Sequence, residues 1–346
     1  MSPTIKNVAE KAGVSLSTVS LVINNKANVS AKTKKKVEAA VSELNYHPRR
    51  NARGLASKKT FNIGFILTDD HFSSAEPFYT KIFLGTEFEA RQYNYYILLT
   101  TVKKTFKTRE SIPRFLLEKN VDGVILAGKV PSKLIDYVQQ MELPLVLVDY
   151  FTRASRTSRV LIDNYQGGCL AVDHLVQNGH RNIAFIGGDS SHPSIGERLQ
   201  AYKECLKKHG LSGAEELVSC CEPYTGVNDG YEATQKLLAR AVPFTAIFAS
   251  NDTMAIGAMQ CLRQRNLKVP RDVSIVGFDD IEVCLQVEPH LTTIRVSKEE
   301  LGAIAVRRIV EMIENKKMMV DRISVPVELV VRESTARVVG KQSALN

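Results

Sequence analysis

The sequence predicts an N-terminal all-α module followed by an α/β core of two lobes, each built on a parallel, doubly wound sheet. Three observations support this prediction. Residues 1–60 hold 12 Lys or Arg and 3 Glu, whereas residues 61–346 hold 34 residues of each sign. Apolar residues recur at helical spacing up to residue 44, and from residue 61 short apolar runs alternate with helical stretches. The length of 346 residues is too great for one simple core.

Three short helices are predicted in the N-terminal module, each beginning after a polar residue. Gly13 suits the left-handed backbone that ends the first helix, near Ile5–Ala12, and the second helix lies near Leu16–Asn24. The expected N-caps are Thr4, Ser15 and Ser30. The apolar positions that fall inward are Ile5, Val8, Ala9, Val14, Val19, Val22, Val37, Ala40, Val41 and Leu44.

The second helix turns a largely polar face outward, where a buried helix would be apolar. Its outward residues are Leu16, Ser17, Ser20 and Leu21. Small hydroxyl side chains let a helix enter the major groove of DNA and reach base edges or phosphates. A charge of +9 confined to the first sixty residues is the electrostatic pattern of a module that binds a polyanion. We therefore interpret this segment as a helix-turn-helix headpiece.

The segment YHPRRNARGLASKKT, residues 46–60, follows the third helix. Pro48 stops that helix, and residues 51–57 have the length of about two helical turns, which is marginal for a helix alone in water. Such a segment is expected to order when a partner binds it. Leu55 would then be an exposed apolar side chain of the kind that wedges between base steps in a minor groove. A plain linker is the alternative, and composition alone does not decide between the two.

Several stretches of the chain closely resemble the lactose/galactose repressor (LacI/GalR) family. In the headpiece and hinge they are TIKNVAEKAGVSLSTVSLVINN, VSAKTKKKVEAAVSELNYHP and ARGLASKKT. In the body they are VDGVILAG, NGHRNIAFIGG, FASNDTMAIGAM, VPRDVSIVGFDD and PHLTTIRVS. The resemblance covers nearly the whole chain. It implies a transcriptional regulator, usually a dimer on a near-palindromic double-stranded DNA operator, and a core like that of the sugar-binding periplasmic binding proteins.

The resemblance also implies which residues contact DNA. These are Thr4, Ser15, Leu16, Ser17, Thr18, Ser20, Leu21, Asn24, Asn28, Arg49, Asn51, Ala52 and Leu55. We expect Leu16, Ser17 and Leu21 to set specificity. The residues expected on phosphates or in support are Thr18, Ser20 and Asn24. Leu21 departs from the family pattern, in which Arg or His is frequent, and a leucine suits a thymine methyl group rather than guanine. The family's operator sequence therefore does not carry over.

The core repeats one alternation of apolar strand-like runs and helices, which predicts two parallel sheets covered on both faces. The first set of runs is FNIGFIL (61–67), YYILL (95–99), VDGVILA (121–127) and LPLVLVD (143–149), with helices near 78–92, 109–119 and 131–141. The second is VLID (160–163), NIAFIGG (182–188), FTAIFAS (244–250) and DVSIVGF (272–278), with helices near 165–178, 196–209, 228–240 and 252–265. The predicted domains are a headpiece over 1–47, a hinge over 48–60 and a core over 61–340. The first lobe is about 61–160 and 292–322, and the second about 161–291 and 323–340.

Ligands of open α/β sheets bind at the carboxyl ends of strands, and polar residues follow several of these runs. Carboxylates, an amide and a guanidinium near aromatic rings suit a polyhydroxylated or heterocyclic small molecule. By resemblance, the contacts to such an effector are Tyr79, Asp149, Tyr150, Ser194, Arg198, Asn251 and Asp279. Dimer packing is the alternative role for Tyr79. We expect Asp252 to cap a helix starting at Thr253 and Asp280 to serve its own loop.

The sequence lacks the motifs that are typical of several other classes of protein. It contains no nucleotide-binding glycine loop, no HExxH and no GxSxG, so we expect no enzyme and no cofactor. The histidines show no metal spacing, and the six cysteines suggest neither a zinc site nor a disulfide framework. No apolar run is long enough to cross a bilayer, and no export signal precedes the headpiece. These absences argue against a solute receptor and favour a cytoplasmic protein.

The sequence leaves more than one chemical class of effector possible. Our interpretation of the effector is a sugar, and the alternatives are a purine-type corepressor or a phosphocarrier protein. The lactose repressor ends in a leucine-repeat helix that makes tetramers, and no such heptads follow VVRESTARVV here, so we expect a homodimer. In the expected mechanism, the effector changes the closure of the two lobes. Lobe closure then decides whether the 51–57 segments can pair on DNA.

Overall fold

Three helices form the N-terminal unit: α1 (Ile5–Ala12), α2 (Leu16–Ile23) and α3 (Ala31–Glu43). Gly13 ends α1 on left-handed backbone at φ 64°. The Ser30 hydroxyl accepts the backbone N–H of Thr33 at the start of α3. The side chains that pack between the helices and are fully buried are Val8, Val19 and Val37. The predicted three-helix headpiece is therefore confirmed, and its core is one small apolar cluster.

The structure is a computed structural model and describes residues 3–23, 29–46, 59–73, 78–106, 111–152, 157–221, 225–315 and 320–338. The chain divides into two compact units, Met1–Phe61 and Asn62–Asn346. Some predicted DNA contacts lie outside the described residues: Asn24, Asn28, Arg49, Asn51, Ala52 and Leu55. The predicted hinge helix over 51–57 lies outside them as well.

The first lobe of the core is built on a six-stranded parallel sheet. Its strands are β1 (Asn62–Thr68), β2 (Tyr96–Val102), β3 (Gly123–Ala127), β4 (Leu145–Val148), β5 (Ser158–Ile162) and β11 (Arg322–Val325). Their order is β11-β5-β4-β3-β1-β2, and all pairs are parallel. The helices of this lobe are α4 (Asp69–Ser73), α5 (Phe78–Gln92), α6 (Arg114–Leu117), α7 (Ser132–Gln140) and α12 (Lys298–Asn315).

The second lobe repeats this plan. Its strands are β6 (Ile183–Gly187), β7 (Val218–Cys220), β8 (Ala246–Ala249), β9 (Ser274–Asp279), β10 (Thr292–Val296) and β12 (Val327–Val330). Their order is β12-β10-β9-β8-β6-β7, with β12 antiparallel to β10 and the other pairs parallel. The helices are α8 (Asn164–Gln177), α9 (Pro193–Lys208), α10 (Val227–Ala239) and α11 (Asp252–Gln264). Two mostly parallel sheets covered by helices confirm the predicted fold class, and the antiparallel edge strand β12 is the one departure among the described strands.

The structure corrects the predicted positions at which the chain changes lobe. The strand β5 was assigned to the second repeat but lies in the first sheet, and β10 was assigned to the first lobe but lies in the second sheet. The chain therefore crosses between the lobes near residues 163, 297 and 326. The reason for the error is physical: a short buried apolar run does not reveal which sheet it joins.

Short elements account for the other differences from the predicted fold. The helix expected near 109–119 is described only over α6, after Pro113. The elements α4, β7 and β12 are absent from the sequence prediction. Each has five residues or fewer, which is too short to show a periodicity.

A disulfide joins Cys169 of α8 to Cys205 of α9, whose Cα atoms are 5.8 Å apart. The sequence suggested no disulfide framework, and the structure contradicts that expectation at this pair. The two cysteines are separated by 36 positions in the chain. Only the packing of α8 against α9 brings them together, so their spacing along the sequence could not predict the disulfide.

Two glycines allow α5 and α12 to approach closely. A Cβ atom on Gly85 would lie 2.0 Å from the carbonyl oxygen of Glu299, and one on Gly302 would lie 2.1 Å from the carbonyl oxygen of Ile82. Each helix thus packs directly against the backbone of the other.

The variant Gly85→Ala should destabilise the core by about 1–3 kcal/mol, because the added methyl group forces the helices apart. Urea unfolding of the full chain measures this change. Gly213→Ala is the matched control, since the nearest atom to its new Cβ is 3.7 Å away. Equal stability of the two variants would contradict the role assigned to close helix packing.

Candidate functional site

One face of α2 exposes two leucines beside a hydroxyl cluster. Leu16 is 44% exposed and Leu21 is 36% exposed. At the start of the helix, the Ser15 hydroxyl accepts the backbone N–H of Thr18 at 3.1 Å and lies 2.7 Å from the Ser17 hydroxyl. The predicted base-reading residues therefore lie together on an accessible surface.

The two other predicted DNA contacts in the described headpiece have different settings. The backbone N–H and the hydroxyl of Thr4 both donate to Oδ1 of Asn7, at 2.9 and 2.6 Å. Thr4 is therefore the N-cap of α1, as predicted from its residue type. Ser20 lies half-buried on α2.

A cavity of about 840 Å³ lies between the two lobes of the core, at the carboxyl ends of their strands. We call it the interlobe cavity. Its lining includes six of the seven predicted effector contacts: Tyr79, Asp149, Ser194, Arg198, Asn251 and Asp279. The seventh, Tyr150, does not line it. Tyr150 packs against the apolar core of the first lobe, with its ring 5.8 Å from that of His192.

Asp149 links the two lobes through hydrogen bonds. Its Oδ2 accepts the hydroxyl of Tyr79 at 3.0 Å, and its Oδ1 accepts the hydroxyl of Ser194 at 2.8 Å. Tyr79 belongs to the first lobe and Ser194 to the second. Burial, together with the Asp149 charge, raises the pKa of Tyr79 well above its usual value, so its hydroxyl stays protonated and donates. These three predicted residues form one network.

Arg198 is held in the second lobe by four neighbours. Its Nε donates to Oδ1 of Asn164 at 2.8 Å, one terminal nitrogen donates to the carbonyl oxygen of Ser250, and the other lies 3.5 Å from Oδ1 of Asp279. The guanidinium carbon lies 3.5 Å from the ring centre of Phe278, a cation–π contact. A guanidinium has five N–H groups, so Arg198 can still donate to a ligand.

Asn251 has a structural role in addition to its place in the interlobe cavity. Its Oδ1 accepts the N–H of Met254 at 2.9 Å, and its Nδ2 donates to the carbonyl oxygen of Thr225 at 3.1 Å. It is the N-cap of α11. The prediction that Asp252 caps this helix is therefore wrong by one residue, because the extended backbone that a cap requires is adopted by Asn251. Asp252 is buried, accepts the N–H of Ile281, and has its pKa raised by burial to about 6.

The carboxylates at the strand ends lie on unusual backbone. Asp149 has φ 54°, Asp279 has φ 108° and Asp280 has φ 53°. Such values are uncommon for residues other than glycine, and they cluster at binding sites. Asp280 does not line the interlobe cavity, and its two carboxylate oxygens lie 2.6 Å from Arg295 and from Arg332. The expectation that Asp280 serves its own loop is therefore wrong: its carboxylate ties the loop after β9 to β10 and to the segment after β12.

The sequence prediction missed the ion pairs in the interlobe cavity. Nζ of Lys129 in the first lobe lies 2.6 Å from Oδ2 of Asp189 and 2.9 Å from the hydroxyl of Ser191 in the second lobe. Nζ of Lys104 lies 2.6 Å from Oδ2 of Asp70. All but Ser191 line the cavity. The available signal was their position within a few residues of a strand end, where cleft residues of an α/β fold occur.

Two histidines that were also missed line the interlobe cavity. Burial lowers the pKa of His71 to about 4 and lowers that of His192 as well. Both imidazoles are therefore neutral at pH 7. The His71 ring lies 4.5 Å from the ring of Tyr79. The charge of the cavity thus comes from its carboxylates, lysines and arginine.

Neither a metal centre nor a membrane-spanning helix is found in the described part of the chain. No group of three or more His, Cys, Asp or Glu residues there could hold a metal ion. No helix there is long and apolar enough to cross a bilayer.

Comparison with known proteins agrees with the geometry of both units. Residues 4–49 match the family described as bacterial regulatory proteins, lacI family, and residues 172–335 match the periplasmic binding protein-like domain. Over 333 residues the chain is 34% identical to the HTH-type transcriptional repressor PurR of Pasteurella multocida, an alignment that covers 96% of this chain and 98% of that protein. The chain belongs to the LacI family.

Solved structures of LacI-family proteins resemble the whole chain. The lac repressor dimer bound to operator and the anti-inducer ONPF has a TM-score of 0.82 at 30% identity, with 97% of this chain and 100% of that chain covered. The complex of the transcriptional regulator CelR with cellobiose has a TM-score of 0.74 at 32% identity, with 96% and 99% covered. This LacI-family chain is a transcriptional repressor by descent, and its relatives are regulators rather than enzymes.

The variant His71→Asn should flatten the dependence of stability on pH. The unfolded imidazole has a pKa of 6.5 and the folded one about 4, so between these values the unfolded state binds more protons and stability rises with pH. Through His71 alone, the free energy of unfolding should fall by about 1–2 kcal/mol from pH 7 to pH 5. Urea unfolding at both pH values measures the difference. The matched control is His290→Asn, because the His290 side chain is 44% exposed and does not line the interlobe cavity. Identical pH dependence in H71N and wild type would contradict the neutral state of His71.

Proposed function

We propose that this LacI-family repressor binds a near-palindromic operator as a homodimer and that a sugar in the interlobe cavity controls its operator affinity. The observation that carries the proposal is the convergence of six predicted effector contacts from both lobes on one cavity. A ligand there would touch both lobes at once. We place the protein in the cytoplasm, where its operator would be.

The headpiece supplies the DNA-binding half of the proposal. It combines the +9 charge of residues 1–60 with the exposed leucines of α2. Cations would hold the phosphate backbone, and the α2 face would contact base edges in the major groove. The proposed DNA contacts outside the described residues are Asn24, Asn28, Arg49, Asn51, Ala52 and Leu55. We keep the proposed domains as a headpiece over 1–47, a hinge over 48–60 and a core over 61–340.

The lining of the interlobe cavity favours a sugar over a purine. A purine would be held best between flat rings, and the described lining carries rings from both lobes: Phe78, Tyr79 and His71 from the first and His192 from the second. The rings therefore do not decide between the two ligands, and the choice of a sugar rests on the polar groups. Asp149 and Arg198 offer an acceptor and a donor for hydroxyl groups. The similarity to a regulator that binds cellobiose supports this choice, and the similarity to PurR makes a purine the alternative.

Exposed apolar side chains on the first lobe support a homodimer. Phe88 on α5 and Tyr96 on β2 are each 55% exposed, and Leu99 on β2 is 37% exposed. The strand β2 is an edge strand, and α5 packs beside it. Exposed large apolar side chains on neighbouring elements are typical of protein interfaces. We propose that a second copy of the chain covers them.

In the proposed mechanism, the effector shifts the balance between open and closed lobes. Asp149 and Ser194 are bonded across the lobes, so a ligand that binds between them changes lobe closure. Closure would change the spacing of the first lobes in the dimer and hence the pairing of the hinge segments on DNA. A coupling of about 1–3 kcal/mol would change operator affinity by roughly 5- to 150-fold.

A thermal-shift screen against sugars, sugar phosphates, polyols, nucleosides and purine bases tests the effector half. A ligand at about 100 times its Kd should stabilise the protein by roughly 2.7 kcal/mol. Arg198→Ala should abolish the shift because it removes the main donor in the cavity. Arg271→Ala is the control, since Arg271 pairs with Asp272 outside the cavity. If no ligand shifts the wild type, a protein corepressor such as a phosphocarrier becomes the better hypothesis.

The DNA-binding half is tested with Leu21→Ala and Leu55→Ala. We expect Leu21→Ala to weaken operator binding by about 10-fold, with an unchanged salt slope, because it removes an apolar base contact and no phosphate contact. We expect Leu55→Ala to reduce both operator affinity and DNA bending, because it removes the wedge. Gel-shift titrations over a range of salt, with a bending assay, measure these effects. Unchanged affinity and bending in Leu55→Ala would overturn the wedge hypothesis.

A further inference from the structure

We propose that the effector is an uncharged saccharide of at least two rings and that the interlobe cavity excludes phosphorylated sugars. This inference rests on the proposed function, in which the cavity binds a sugar. It adds the charge and the size of the ligand, which divide the possible effectors into classes that can be tested separately.

The described lining of the interlobe cavity has more carboxylates than cations. The carboxylates are Asp70, Asp149, Asp189, Asp229 and Asp279. The cations are Lys104, Lys129 and Arg198. The two histidines of the lining are neutral, as described above. An anionic ligand would therefore enter a site whose own charge is negative, which costs binding free energy when water is excluded.

Each of these cations already has a carboxylate partner. Lys129 lies 2.6 Å from Asp189, and Lys104 lies 2.6 Å from Asp70. Arg198 is 3.5 Å from Asp279. A phosphate group would have to displace a protein carboxylate from its cation. Sites that bind phosphate instead present unpaired donors, such as uncapped helix N-termini or free Arg and Lys side chains. Three helices that begin at this cavity have an N-terminal N–H bonded to protein: Met254 donates to Asn251, Ser194 to His192, and Gly226 to Asp229.

The polar groups of the cavity suit hydroxyl groups. The Asp149 carboxylate already accepts two hydroxyl groups, from Tyr79 and Ser194, and a carboxylate has about four acceptor positions. Arg198 has N–H groups beyond those bonded to protein. A ligand hydroxyl both donates and accepts, so it can satisfy either group without bringing a charge.

The apolar part of the lining suits the C–H faces of sugar rings. Val130 and Pro131 come from the first lobe, and Ile195, Val227, Ile256 and Ile281 come from the second. The cavity of about 840 Å³ lies near the upper end of the range of roughly 300–1,000 Å³ that encloses drug-sized ligands. In this arrangement of the lobes, a single six-membered ring would leave much of the space to water. Two or more rings would reach both the polar groups and the apolar walls.

Isothermal titration calorimetry of the purified full chain tests the inference with matched ligands. The probes are cellobiose and maltose, their 6′-phosphates, a panel of further neutral di- and trisaccharides, and glucose with glucose 6-phosphate. We expect at least one neutral di- or trisaccharide to bind. Its phosphorylated counterpart should bind about 100-fold more weakly or worse, because like charges oppose it, and glucose at least about 10-fold more weakly.

The variant Asp189→Asn tests the cause of the exclusion. It leaves Lys129 without its carboxylate partner, so the phosphorylated disaccharide should gain about 10-fold in affinity at low salt, and high salt should remove the gain. Affinity for the neutral disaccharide should change much less. Asp173→Asn is the matched control, because Asp173 pairs with His209 and does not line the cavity.

The possible results separate this inference from the function on which it rests. If a monosaccharide or a phosphorylated sugar binds as tightly as any neutral disaccharide, the inference is wrong while a sugar-controlled repressor stands. If Asp189→Asn gains no affinity for the phosphorylated ligand, exclusion by charge pairing is wrong. If only purines bind, or nothing does, the inference fails together with the sugar effector, and operator binding by the headpiece is unaffected.

Discussion

Parallel strands end at the same edge of their sheet, and in this core the two mostly parallel sheets turn that edge toward one cavity. The position of the site follows from this constraint. Asp149 follows β4, Asp189 follows β6, Asn251 follows β8 and Asp279 ends β9. These residues are spread over 130 positions of the chain. They become neighbours because the helices that connect parallel strands return the chain to the opposite edge each time.

Charge pairing then decides what this shared edge can hold. A buried carboxylate or cation is stable only with partners, and the interlobe cavity meets this condition internally. Lys129 reaches across to Asp189, while Arg198 is fixed by an amide, a carbonyl, a carboxylate and an aromatic face. The same contacts that allow these groups to be buried also orient them. A ligand can then bind to the donor and acceptor positions of these groups that the protein contacts do not use.

The sequence was most informative where local chemistry determines structure, and least where tertiary packing does. The caps at Ser15 and Ser30 and the buried valines of the headpiece followed from residue type and spacing. The lobes to which β5 and β10 belong did not follow from the sequence, because all buried strands have the same pattern of apolar residues. Asn251 and Asp252 are equally good caps by type, and only backbone geometry separates them. Lys129 forms an ion pair with Asp189 across the cavity, and Cys169 of α8 forms a disulfide with Cys205 of α9. No local pattern encodes such contacts.

The three crossings near residues 163, 297 and 326 have a consequence for protein engineering. Neither lobe is a continuous stretch of chain, since β11 and α12 complete the first lobe from the far end of the sequence. A chimaera that exchanges one lobe for that of a relative needs three matched junctions, and a single splice would leave both sheets of mixed origin. The headpiece, in contrast, is one uninterrupted segment ending before Asn62. A single splice can therefore transfer the headpiece to a relative, whereas the transfer of either lobe of the core needs three.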